Sequence, residues 1–414
     1  MFPESITLLQ GKRIILGITG SIAAYKAADL ASKLTQAGAL VDVIMTEAAQ
    51  RFVTPLTFQA VTGRAVYTDL WSPPVGALPM HIAHVGLAES AHLLAIVPAT
   101  ADTLSRLSSG RADDLLAVTA LAARCPLLIA PAMDGGMYHH PATQANLETL
   151  VRRGVLLVEP EEGRFASGLR GKGRLPDPIT LFGAIRYAIS RGGPLTGRKI
   201  VVTAGGTREP IDPVRYVSNR SSGKQGFALA QAALDAGADV TLVTTAHGLP
   251  LPYGAAAVYV DTAAQLLERT LHHAVSAQAL IMAAAVADFR PAAPASHKIK
   301  KTEGGETGLS LTMERTRDIL LAVQAQRADS SYPRVVVGFA AESDDLQRNA
   351  REKMARKGVD LLVANDITAS DAGFETDTNR VLILDPAGGE ERIELMSKAR
   401  VAEHVIGRVA ALLG

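Results

Sequence analysis

Short runs of apolar residues alternate along the chain with longer stretches in which alanine and leucine recur at helical spacing. In the first half, the runs RIILGI, VDVIM, LLAIV and LLIAP have the length of buried strands, and alanine-rich stretches separate them. Apolar strands that alternate with helices are typical of βαβ units, which form a parallel sheet with helices on both faces. This pattern predicts a doubly wound α/β domain.

The pattern breaks at residues 189–197, where the sequence is rich in Gly and Pro, and a new strand begins at KIVVTAGG. The second half continues with the helix GFALAQAALDAGA and the apolar runs DVTLVTT, ALIMAAAVADF, RVVVGFAAE and DLLVAND. Both halves open with a strand, a Gly-containing turn and an alanine-rich helix, a likeness that shared fold logic explains without duplication. We therefore expect two Rossmann-like α/β domains, at residues 1–190 and 191–414.

Charge and composition limit the possible partners. The 414 residues include 42 Lys and Arg against 41 Asp and Glu, a net charge of +1, so no strong field attracts nucleic acid or a membrane. The N-terminus lacks the features of a secretory signal, and no apolar run reaches the ~18 residues of a membrane span. Cys125 is the only cysteine, which excludes an internal disulfide and a cysteine-based metal site. We expect a cytoplasmic protein that acts on small molecules, with no nucleic-acid or membrane partner.

Small and polar residues follow three predicted strands of the first half. Gly20 and Ser21 follow RIILGI, Thr46 follows VDVIM, and residues 98–102 (PATAD) follow LLAIV. The carboxyl ends of parallel strands are where open sheets bind ligands, so these residues should share one crevice. The backbone N–H groups and the serine hydroxyl at a helix start suit a phosphate, although Ser21 as a plain N-cap fits the same residues.

Five segments of the first half carry a family resemblance: GSIAA, MT, PATAD, ADDL and PAMDGGMY, between residues 10 and 185. They resemble the homo-oligomeric flavin-containing cysteine decarboxylases. The nearest form looks like the decarboxylase half of the bifunctional phosphopantothenoylcysteine decarboxylase/phosphopantothenate-cysteine ligases of bacterial coenzyme A synthesis. The resemblance implies a flavodoxin-like flavoprotein domain that binds FMN through Gly20, Ser21, Thr46, Pro98, Thr100 and Ala101.

The same resemblance implies a catalytic histidine fourteen residues before the proline of the PAT motif. Counting back from Pro98 gives His84, with His81 as the nearby alternative. Imidazole titrates near neutral pH and can take a proton while flavin accepts a hydride. In the implied reaction, flavin oxidises the substrate thiol to a thioaldehyde, the adjacent carboxylate leaves as CO2, and the reduced flavin returns the electrons.

Two positions depart from the family pattern. Asp134 stands where the family has an asparagine that contacts the substrate carboxylate, and Ser167 stands where it has a cysteine that donates a proton in the final reduction. A serine hydroxyl is a far weaker acid than a thiol. Two interpretations stay open: the decarboxylase half is impaired, or Asp134 supplies the proton that the cysteine supplies elsewhere. We favour the second because the remaining flap sequence, GLRGKGRL, is that of a working lid.

The second half contains a long loop, residues 203–224, that is neither a Walker A motif nor a G-x-G-x-x-G motif. It offers Asn219 and nearby Arg and Ser residues at a helix start, which suits an anionic substrate. Farther on, the small residues before Asp288 allow a base or ribose to approach, and its carboxylate can accept hydrogen bonds from hydroxyls. Lysines follow in KIKK, residues 298–301, where a solvated loop is the alternative, and at Lys353 and Lys357.

In this order the segments resemble the ligase half of the same bifunctional family, over residues 195–410. The resemblance implies that the phosphopantothenate carboxylate attacks the α-phosphate of CTP, and that the cysteine amine then displaces CMP from the acyl cytidylate. Lysines and Mg2+ would neutralise the triphosphate, although the sequence identifies no metal ligands. Asn219 would contact the acyl intermediate, and Lys298 would be catalytic as well as nucleotide-binding. The implied CTP-binding residues are Ala284, Asp288, Lys298, Asp318, Ile319, Phe339, Lys353 and Lys357.

One segment departs from the ligase pattern, because Thr316-Arg317-Asp318-Ile319 replaces the common Asn-Pro-Asp-Ile.

The leading hypothesis is a bifunctional enzyme that makes 4'-phosphopantetheine from 4'-phosphopantothenate, cysteine and CTP. One alternative is a flavin-binding regulatory or scaffold protein with an impaired decarboxylase half. Another is a different flavin enzyme fused to an unrelated Rossmann domain, against which the Asn219 loop and the Lys298 cluster argue. The resemblance also implies a homo-oligomer based on trimers, up to a dodecamer, with paired ligase domains.

Overall fold

The computed structural model describes residues 6–72, 82–164, 168–300, 309–342, 346–366 and 376–414. The chain divides into two compact units, residues 1–190 and 191–414, and each is described by itself. Within the described ranges, no helix is long and apolar enough to cross a membrane.

The first unit is built around a six-stranded parallel sheet in the order β3-β2-β1-β4-β5-β6, with a separate antiparallel hairpin β7-β8. The strands are β1 Arg13–Ile18, β2 Leu40–Met45, β3 Val66–Tyr67, β4 Leu93–Ala99, β5 Leu127–Pro131, β6 Leu156–Leu157, β7 Glu161–Arg164 and β8 Arg170–Arg174. The helices are α1 Ala24–Gln36, α2 Pro55–Thr62, α3 Ala83–Ser90, α4 Ala101–Ser109, α5 Leu115–Ala122, α6 Gly135–Tyr138, α7 Pro141–Arg152 and α8 Pro178–Ser190.

The four strands predicted from apolar runs in this unit are present. Ile14, Ile15 and Leu16 of β1 are completely buried, because helices cover both faces of the sheet. Burying each such side chain contributes roughly 1.5–3 kcal/mol to folding. Helix α5 packs so closely on β1 that a Cβ atom at Gly17 would lie 2.5 Å from Leu116 Cδ1. The strand order reverses between β1 and β4, which opens a crevice at their carboxyl ends.

The second unit is built around an eight-stranded sheet in the order β13-β12-β9-β14-β17-β18-β19-β20, in which β19 and β20 are antiparallel to their neighbours. Two antiparallel hairpins, β10-β11 and β15-β16, stand apart from it. The strands are β9 Lys199–Ala204, β10 Arg208–Pro210, β11 Tyr216–Ser218, β12 Asp239–Thr244, β13 Ala256–Tyr259, β14 Ala279–Met282, β15 Phe289–Pro291, β16 Met313–Arg315, β17 Val335–Glu342, β18 Leu361–Asp366, β19 Thr378–Leu384 and β20 Glu390–Ser397. The helices are α9 Lys224–Asp235, α10 Ala263–Ala274, α11 Ile319–Ser330, α12 Leu346–Lys357 and α13 Lys398–Leu413.

The apolar run ALIMAAAVADF is only partly a strand, which corrects the expectation that Asp288 ends it. Strand β14 stops at Met282, opposite Thr203 of β9. Strand β9 ends at Ala204 and the chain turns at Gly205, whose φ of +88° favours glycine, so the continuous pairing with β14 stops and only an isolated bridge between Gly206 and Ala285 follows. The following residues, 283–287, form a loop of small side chains, and Asp288 lies just before the short strand β15. The doubly wound α/β class predicted for both halves is confirmed.

Candidate active sites

A cavity of about 830 Å³ opens at the carboxyl ends of β1, β2 and β4 in the first unit. We call it the β1 cavity. It contains the predicted residues Gly20, Ser21, Thr46, Thr100 and Ala101. Its complete lining is Thr19, Gly20, Ser21, Thr46, Glu47, Ala48, Arg51, Phe52, Thr100, Ala101, Asp102, Thr103, Arg106, Asp113, Asp114, Ala132, Met133 and Met137.

Hydroxyl groups connect the loops that form the β1 cavity. Thr19 Oγ1 donates to the carbonyl oxygen of Pro98 at 2.6 Å and accepts from the backbone N–H of Thr100 at 3.1 Å, which joins the ends of β1 and β4. Thr46 Oγ1 accepts from the backbone N–H of Ala49 at 3.2 Å and so fixes the turn after β2. Pro98 itself is buried and does not line the cavity, so it shapes the site through its carbonyl group.

The turn after β1 is tightly packed. A Cβ atom at Gly20 would lie 2.5 Å from the Cβ atom of Ala48, so only glycine lets these two loops approach. The residue at the N-cap position of α1 is Ala23, and no side-chain hydrogen bond is made from that position. Ser21 Oγ instead accepts from the backbone N–H of Ala23 at 3.2 Å. This bond to the N–H two residues on is of the capping kind, so the cap and the phosphate interpretations of Ser21 both stay open.

The chemistry of this lining fits a flavin phosphate. Threonine and serine hydroxyls and the turn at Gly20 offer hydrogen bonds to an anion, while Phe52, Met133 and Met137 offer apolar surface to a flat ring system. The charge of Arg106 is neutralised locally, because it bonds Asp102 at 2.9 Å and Asp113 at 2.7 Å.

The predicted catalytic residues of the first unit lie outside this lining. His84 is the second residue of α3 and is half-buried. Asp134 is the N-cap of the short helix α6, where its Oδ1 accepts from the backbone N–H of Gly136 at 3.0 Å. Its neighbours Met133 and Met137 line the β1 cavity, whereas Asp134 does not. Ser167 and the alternative His81 lie outside the described residues.

The hairpin β7-β8, which carries the predicted lid, is fastened at its base by a chain of side chains. The hydroxyl of Tyr138 donates to Glu159 Oε2 at 3.0 Å, and Lys172 Nζ of β8 lies 2.8 Å from the same oxygen. The hydrogen bond from Lys172 holds the pKa of Glu159 below its usual value, and burial raises the pKa of Tyr138 to about 12. The backbone N–H of Met133 also donates to the carbonyl oxygen of Gly173 at 3.0 Å. The lid is thus tied to the segment that holds Asp134.

A buried lysine fastens the chain that leaves this hairpin. Lys26 of α1 is 7% exposed, and its Nζ donates to the carbonyl oxygen of Leu175 at 2.9 Å and to Asp177 Oδ1 at 2.8 Å. The same ion pair lowers the pKa of Asp177. The helix that follows the Gly20 turn is therefore also joined to the exit of the lid.

Two adjoining cavities open at the carboxyl ends of β9, β14 and β17 in the second unit. The Asn219 cavity, of about 460 Å³, is lined by Asn219, Arg220, Ser221, Ser222, Gly223, Lys224, Gln225, Gly226, Ala283, Ala284, Ala285, Val286, Asp288, Phe339, Ala340, Lys353, Asn365, Asn379 and Lys398. The Lys357 cavity, of about 600 Å³, is lined by Met282, Ala284, Val286, Asp288, Phe289, Arg315, Thr316, Arg317, Asp318, Ile319, Leu320, Leu321, Phe339, Lys353 and Lys357. Their shared wall consists of Ala284, Val286, Asp288, Phe339 and Lys353.

Asn219 is held against the loop that follows β14. Its Nδ2 donates to the carbonyl oxygen of Val286 at 2.9 Å, and a Cβ atom at Gly206 would lie 2.6 Å from its carbonyl oxygen. The backbone N–H of Thr207 donates to the carbonyl oxygen of Ala285 at 3.2 Å. The long loop and the small-residue loop therefore form one wall of the Asn219 cavity.

The Lys357 cavity contains an ion pair between Lys357 of α12 and Asp318. Asp318 is also the N-cap of α11, where it accepts from the backbone N–H of Leu321 at 3.2 Å. Burial lowers the pKa of Lys357, whose side chain is only 10% exposed. Thr316 fixes the same segment, because its Oγ1 donates to the carbonyl oxygen of Ala287 at 2.6 Å. The departing Thr-Arg-Asp-Ile segment is thus rigidly joined to the cavity wall.

Lys298 does not lie with the other predicted nucleotide residues. It is exposed and lines neither cavity. The next residue, Ile299, is anchored at both backbone atoms: its N–H donates to Asp212 at 3.2 Å, and Arg215 donates to its carbonyl oxygen at 3.0 Å. Residues 301–308, which follow, lie outside the described residues.

Several cavity residues had no assigned role in the sequence analysis. Asn365 lies on the wall of the Asn219 cavity, and within the described part of the chain its buried Oδ1 has no hydrogen-bond partner. Lys224, Lys398 and Asn379 line the same cavity. The sequence could have pointed to Lys224, because it ends the long loop of residues 203–224. Nothing in the sequence points to Lys398, which lies far from that loop along the chain. The described residues contain no group of three or more His, Cys, Asp or Glu side chains that could hold a metal ion.

Two known protein families match successive parts of the chain. Residues 4–190 match the family described as Flavoprotein, and residues 195–413 match the family described as DNA/pantothenate metabolism flavoprotein C-terminal domain. The chain is 44% identical over 408 residues to the coenzyme A biosynthesis bifunctional protein CoaBC of Bacillus subtilis (strain 168), with 98% of each chain covered. It is 46% identical over 413 residues to the protein of the same name from Mycobacterium bovis, with 97% of each chain covered.

Among solved structures, the crystal structure of the C-terminal domain of coenzyme A biosynthesis bifunctional protein CoaBC shares 32% sequence identity. It covers 53% of this chain and 98% of that chain, with a TM-score of 0.45.

Proposed function

Since the chain belongs to the family of coenzyme A biosynthesis bifunctional proteins, we propose that it ligates cysteine to 4'-phosphopantothenate with CTP and then decarboxylates the product to 4'-phosphopantetheine. We assign the decarboxylase to residues 1–190 and the CTP-dependent ligase to residues 191–414. The observation that carries the ligase assignment is the pair of adjoining cavities with a shared wall, which gives a nucleotide and a second substrate neighbouring places. The order of the two domains along the chain is the reverse of the order of their reactions.

In the decarboxylase, the β1 cavity would hold FMN through Gly20, Ser21, Thr46, Thr100 and Ala101, while the carbonyl oxygen of Pro98 accepts the hydrogen bond from Thr19 Oγ1. FMN, when bound, would supply the hydride acceptor that oxidises the substrate thiol to a thioaldehyde, whose C=S group can accept the electron pair left by the departing CO2. His84 would take the proton that this oxidation releases, since imidazole is a competent base near neutral pH. Asp134 and Ser167 would contact the reacting end of the substrate, and Asp134 would return a proton in the final reduction.

In the ligase, Asn219 would orient the acid so that its carboxylate faces the α-phosphate of CTP at the cavity junction. Asp288 and Phe339 on the shared wall would contact the cytidine, along with the backbone of Ala284 and the segment Asp318–Ile319. Lys353 and Lys357 would neutralise the triphosphate, and Lys298 would reach it from its exposed loop. The amine of cysteine then displaces CMP from the acyl cytidylate.

Mg2+ would enter this site with the nucleotide. The ion retains several waters and is commonly bound through substrate phosphates and one or two carboxylates, so a dedicated protein cage is not required. Asp288 and Asp318 are the carboxylates of the Lys357 cavity, and the second is already paired with Lys357. The donor set therefore fits a nucleotide-borne Mg2+ better than a resident metal.

We also propose that the protein works as a homo-oligomer built from trimers. Apolar side chains stand exposed at and near the β1 cavity: Ile22 is 64% exposed, Phe52 49% and Met137 52%. A second copy would cover this surface and could complete a cavity from which His84 is absent in a single chain. The mass of the FMN-loaded protein by light scattering, compared with that of an Ile22→Glu variant, tests the proposal, and a monomeric wild type would contradict it.

The function is tested by incubating FMN-loaded protein with 4'-phosphopantothenate, cysteine, CTP and Mg2+, and by identifying the products by mass. We expect pyrophosphate, CMP, CO2 and 4'-phosphopantetheine. Lys357→Met should suppress pyrophosphate release about 10-fold or more while leaving the decarboxylation of supplied phosphopantothenoylcysteine intact, because a charge-assisted contact contributes ~1.5–3 kcal/mol. Arg356→Met, which removes an exposed cation one position away, is the matched control.

A second pair of variants tests the remaining assignments. His84→Asn should abolish CO2 release and leave ligation unchanged, and Lys298→Gln should do the opposite. The flavin-binding scaffold hypothesis requires that the wild-type protein release no CO2. Ligation that survives in Lys298→Gln would contradict the role assigned to that lysine.

A further inference from the structure

A buried carboxylate of the long loop holds the segment that carries Lys298. Asp212 lies in the turn between β10 and β11 and is 3% exposed. Its Oδ1 accepts from the backbone N–H groups of Val214 and Arg215, both at 2.8 Å, which closes the turn. Its Oδ2 accepts from Arg215 Nε at 3.0 Å and from the backbone N–H of Ile299 at 3.2 Å. One side chain therefore serves both the turn and a segment 87 positions away.

Two further contacts fasten this segment to the same turn. Arg215 Nη2 donates to the carbonyl oxygen of Ile299 at 3.0 Å, so both backbone groups of Ile299 are bonded. The backbone N–H of Ala295 donates to the carbonyl oxygen of Ile211 at 2.9 Å. The side chain of Lys298 is exposed, but the backbone on either side of it is therefore fixed to the turn.

These contacts require a carboxylate at position 212. The hydrogen bonds from the Arg215 side chain are the main cause that holds the pKa of Asp212 far below its usual range, and the backbone N–H groups act in the same direction. The buried charge is tolerated because several N–H groups donate to it. An amide offers only one acceptor oxygen, so an asparagine here could not accept the bonds of the turn and the bond from Ile299 together.

We propose that Asp212 is a positioning residue of the ligase, which places Lys298 for the triphosphate of CTP by holding the backbone of Ile299. The proposal rests on the ligase function and on the role of Lys298 proposed above. A lysine acts on phosphates as a point charge at the end of a flexible stem, so its effect depends on where its backbone is held. Fixing the backbone in advance lowers the entropy that is lost when the nucleotide binds. The same long loop continues to Asn219 on the cavity wall, so one turn places both residues.

The test is a double-mutant cycle on CTP binding, measured by calorimetric titration of CTP and Mg2+ into the FMN-loaded, full-length protein. Lys298→Gln should raise the Kd for CTP about 10-fold or more, because it removes a charge-assisted contact. Asp212→Asn should also raise the Kd, but by no more than Lys298→Gln does, because a positioning residue contributes only through the group that it positions. In the double variant, the Kd should stay within about twofold of the Lys298→Gln value.

Two results of this cycle would overturn the proposal. If the effects of the two substitutions multiply in the double variant, Asp212 acts on the nucleotide independently of Lys298. If Lys298→Gln leaves the Kd unchanged, the lysine does not contact the triphosphate and Asp212 has nothing to position there.

Hydrogen exchange, followed by mass spectrometry on the same proteins, supplies a readout that does not depend on activity. In Asp212→Asn, the backbone amide of Ile299 should exchange at least about 10-fold faster than in the wild type, because its acceptor is lost. Faster exchange with an unchanged Kd for CTP would mean that the contact is only structural, which contradicts the proposal. A wild type that shows the expected cycle but releases no pyrophosphate would contradict the ligase function and not the role of Asp212.

Asp385→Asn is the matched control. Asp385 also accepts a backbone N–H across a turn, that of Gly389 at 2.9 Å, and pairs with Arg408 at 2.8 Å, but it lines neither cavity. This variant should bind CTP as the wild type does. If Asp212→Asn does not fold, Ile299→Pro removes the same N–H from a segment that is mostly exposed, and it should also raise the Kd for CTP. A folded Ile299→Pro protein with wild-type affinity for CTP would refute the proposal.

Discussion

At the scale of single residues, the most demanding position of the first unit is Gly20. Its backbone approaches Ala48 so closely that a methyl group has no room, since the Cβ atoms would be 2.5 Å apart. The two loops in question end β1 and β2, and both line the β1 cavity. A small side chain here would therefore separate loops that must act together on one ligand.

We predict that Gly20→Ala weakens FMN binding at least about 10-fold, a cost of ~1.4 kcal/mol. Flavin content after purification and fluorescence titration of apoprotein measure the effect. Gly192→Ala is the control, because a Cβ atom at that position meets nothing within 4 Å. Normal flavin affinity in Gly20→Ala would show that this turn does not touch the cofactor.

A second residue-scale prediction concerns Asp134. An asparagine can still accept the hydrogen bond from Gly136, so Asp134→Asn should keep helix α6 and the melting temperature. If the carboxyl group donates the last proton, the variant should still release CO2 but should accumulate an ene-thiol that lacks the final two hydrogens. Mass analysis of the products distinguishes the ene-thiol from the fully reduced thiol, because the two differ by two hydrogens. An unchanged yield of the fully reduced thiol would eliminate the proton-donor role.

At the scale of elements, the base of the lid hairpin depends on the contacts among Tyr138, Glu159 and Lys172. The folded protein lowers the pKa of Glu159, so its carboxylate stabilises the fold at pH values above the ordinary glutamate range. That contribution is lost as the pH falls through the lowered value. The stabilisation is modest, because the Glu159 side chain is 58% exposed and the solvent screens the pair.

We predict that Glu159→Gln lowers the melting temperature slightly at pH 7, that the difference from the wild type shrinks as the pH falls below the ordinary glutamate range, and that it disappears once the pH lies below the lowered pKa of Glu159, where both side chains are neutral. Calorimetric melting across this pH range provides the measurement. Glu162→Gln, on the same hairpin, serves as the control. A difference in melting temperature that persists at low pH would mean that Glu159 stabilises the fold by packing and not by its charge.

The elements also show what the sequence could and could not predict. Strands β1 and β4 were predictable because a strand buried on both faces is a continuous apolar run. The end of β14 was not, because the run continues through Ala283 to Ala287 while the neighbouring strand turns away at Gly205. Lys398 could not be placed in the cavity either, since the contact that brings it there joins positions 173 residues apart, Gln225 and Lys398.

Family resemblance supplied what periodicity could not. It identified Asn219 and Lys353, which the structure brings to one cavity, although lysines at helical spacing are usually just solvated. It also identified His84 and Lys298, which the structure leaves outside the cavities of a single chain.

At the scale of the whole molecule, each unit has its own buried core and its own cavity. We predict that residues 1–190 and 191–414 fold when produced as separate chains, that the first retains FMN, and that the second retains pyrophosphate release. Cooperative melting and the activities of the separated chains provide the measurements. If the fragment of residues 191–414 melts cooperatively but releases no pyrophosphate, the ligase requires the decarboxylase half.

The small residues at positions 283–287 have a consequence beyond catalysis. Ala283, Ala284 and Ala285 line the Asn219 cavity with side chains that are only methyl groups, so a ligand on this part of the wall meets many main-chain atoms. Point mutations change side chains while leaving the main chain in place. An inhibitor that draws its affinity from this stretch would leave few escape mutations. If the nucleotide binds at this wall as proposed, any substitution that excludes such an inhibitor by bulk would also exclude the nucleotide, so resistance would abolish the ligation itself.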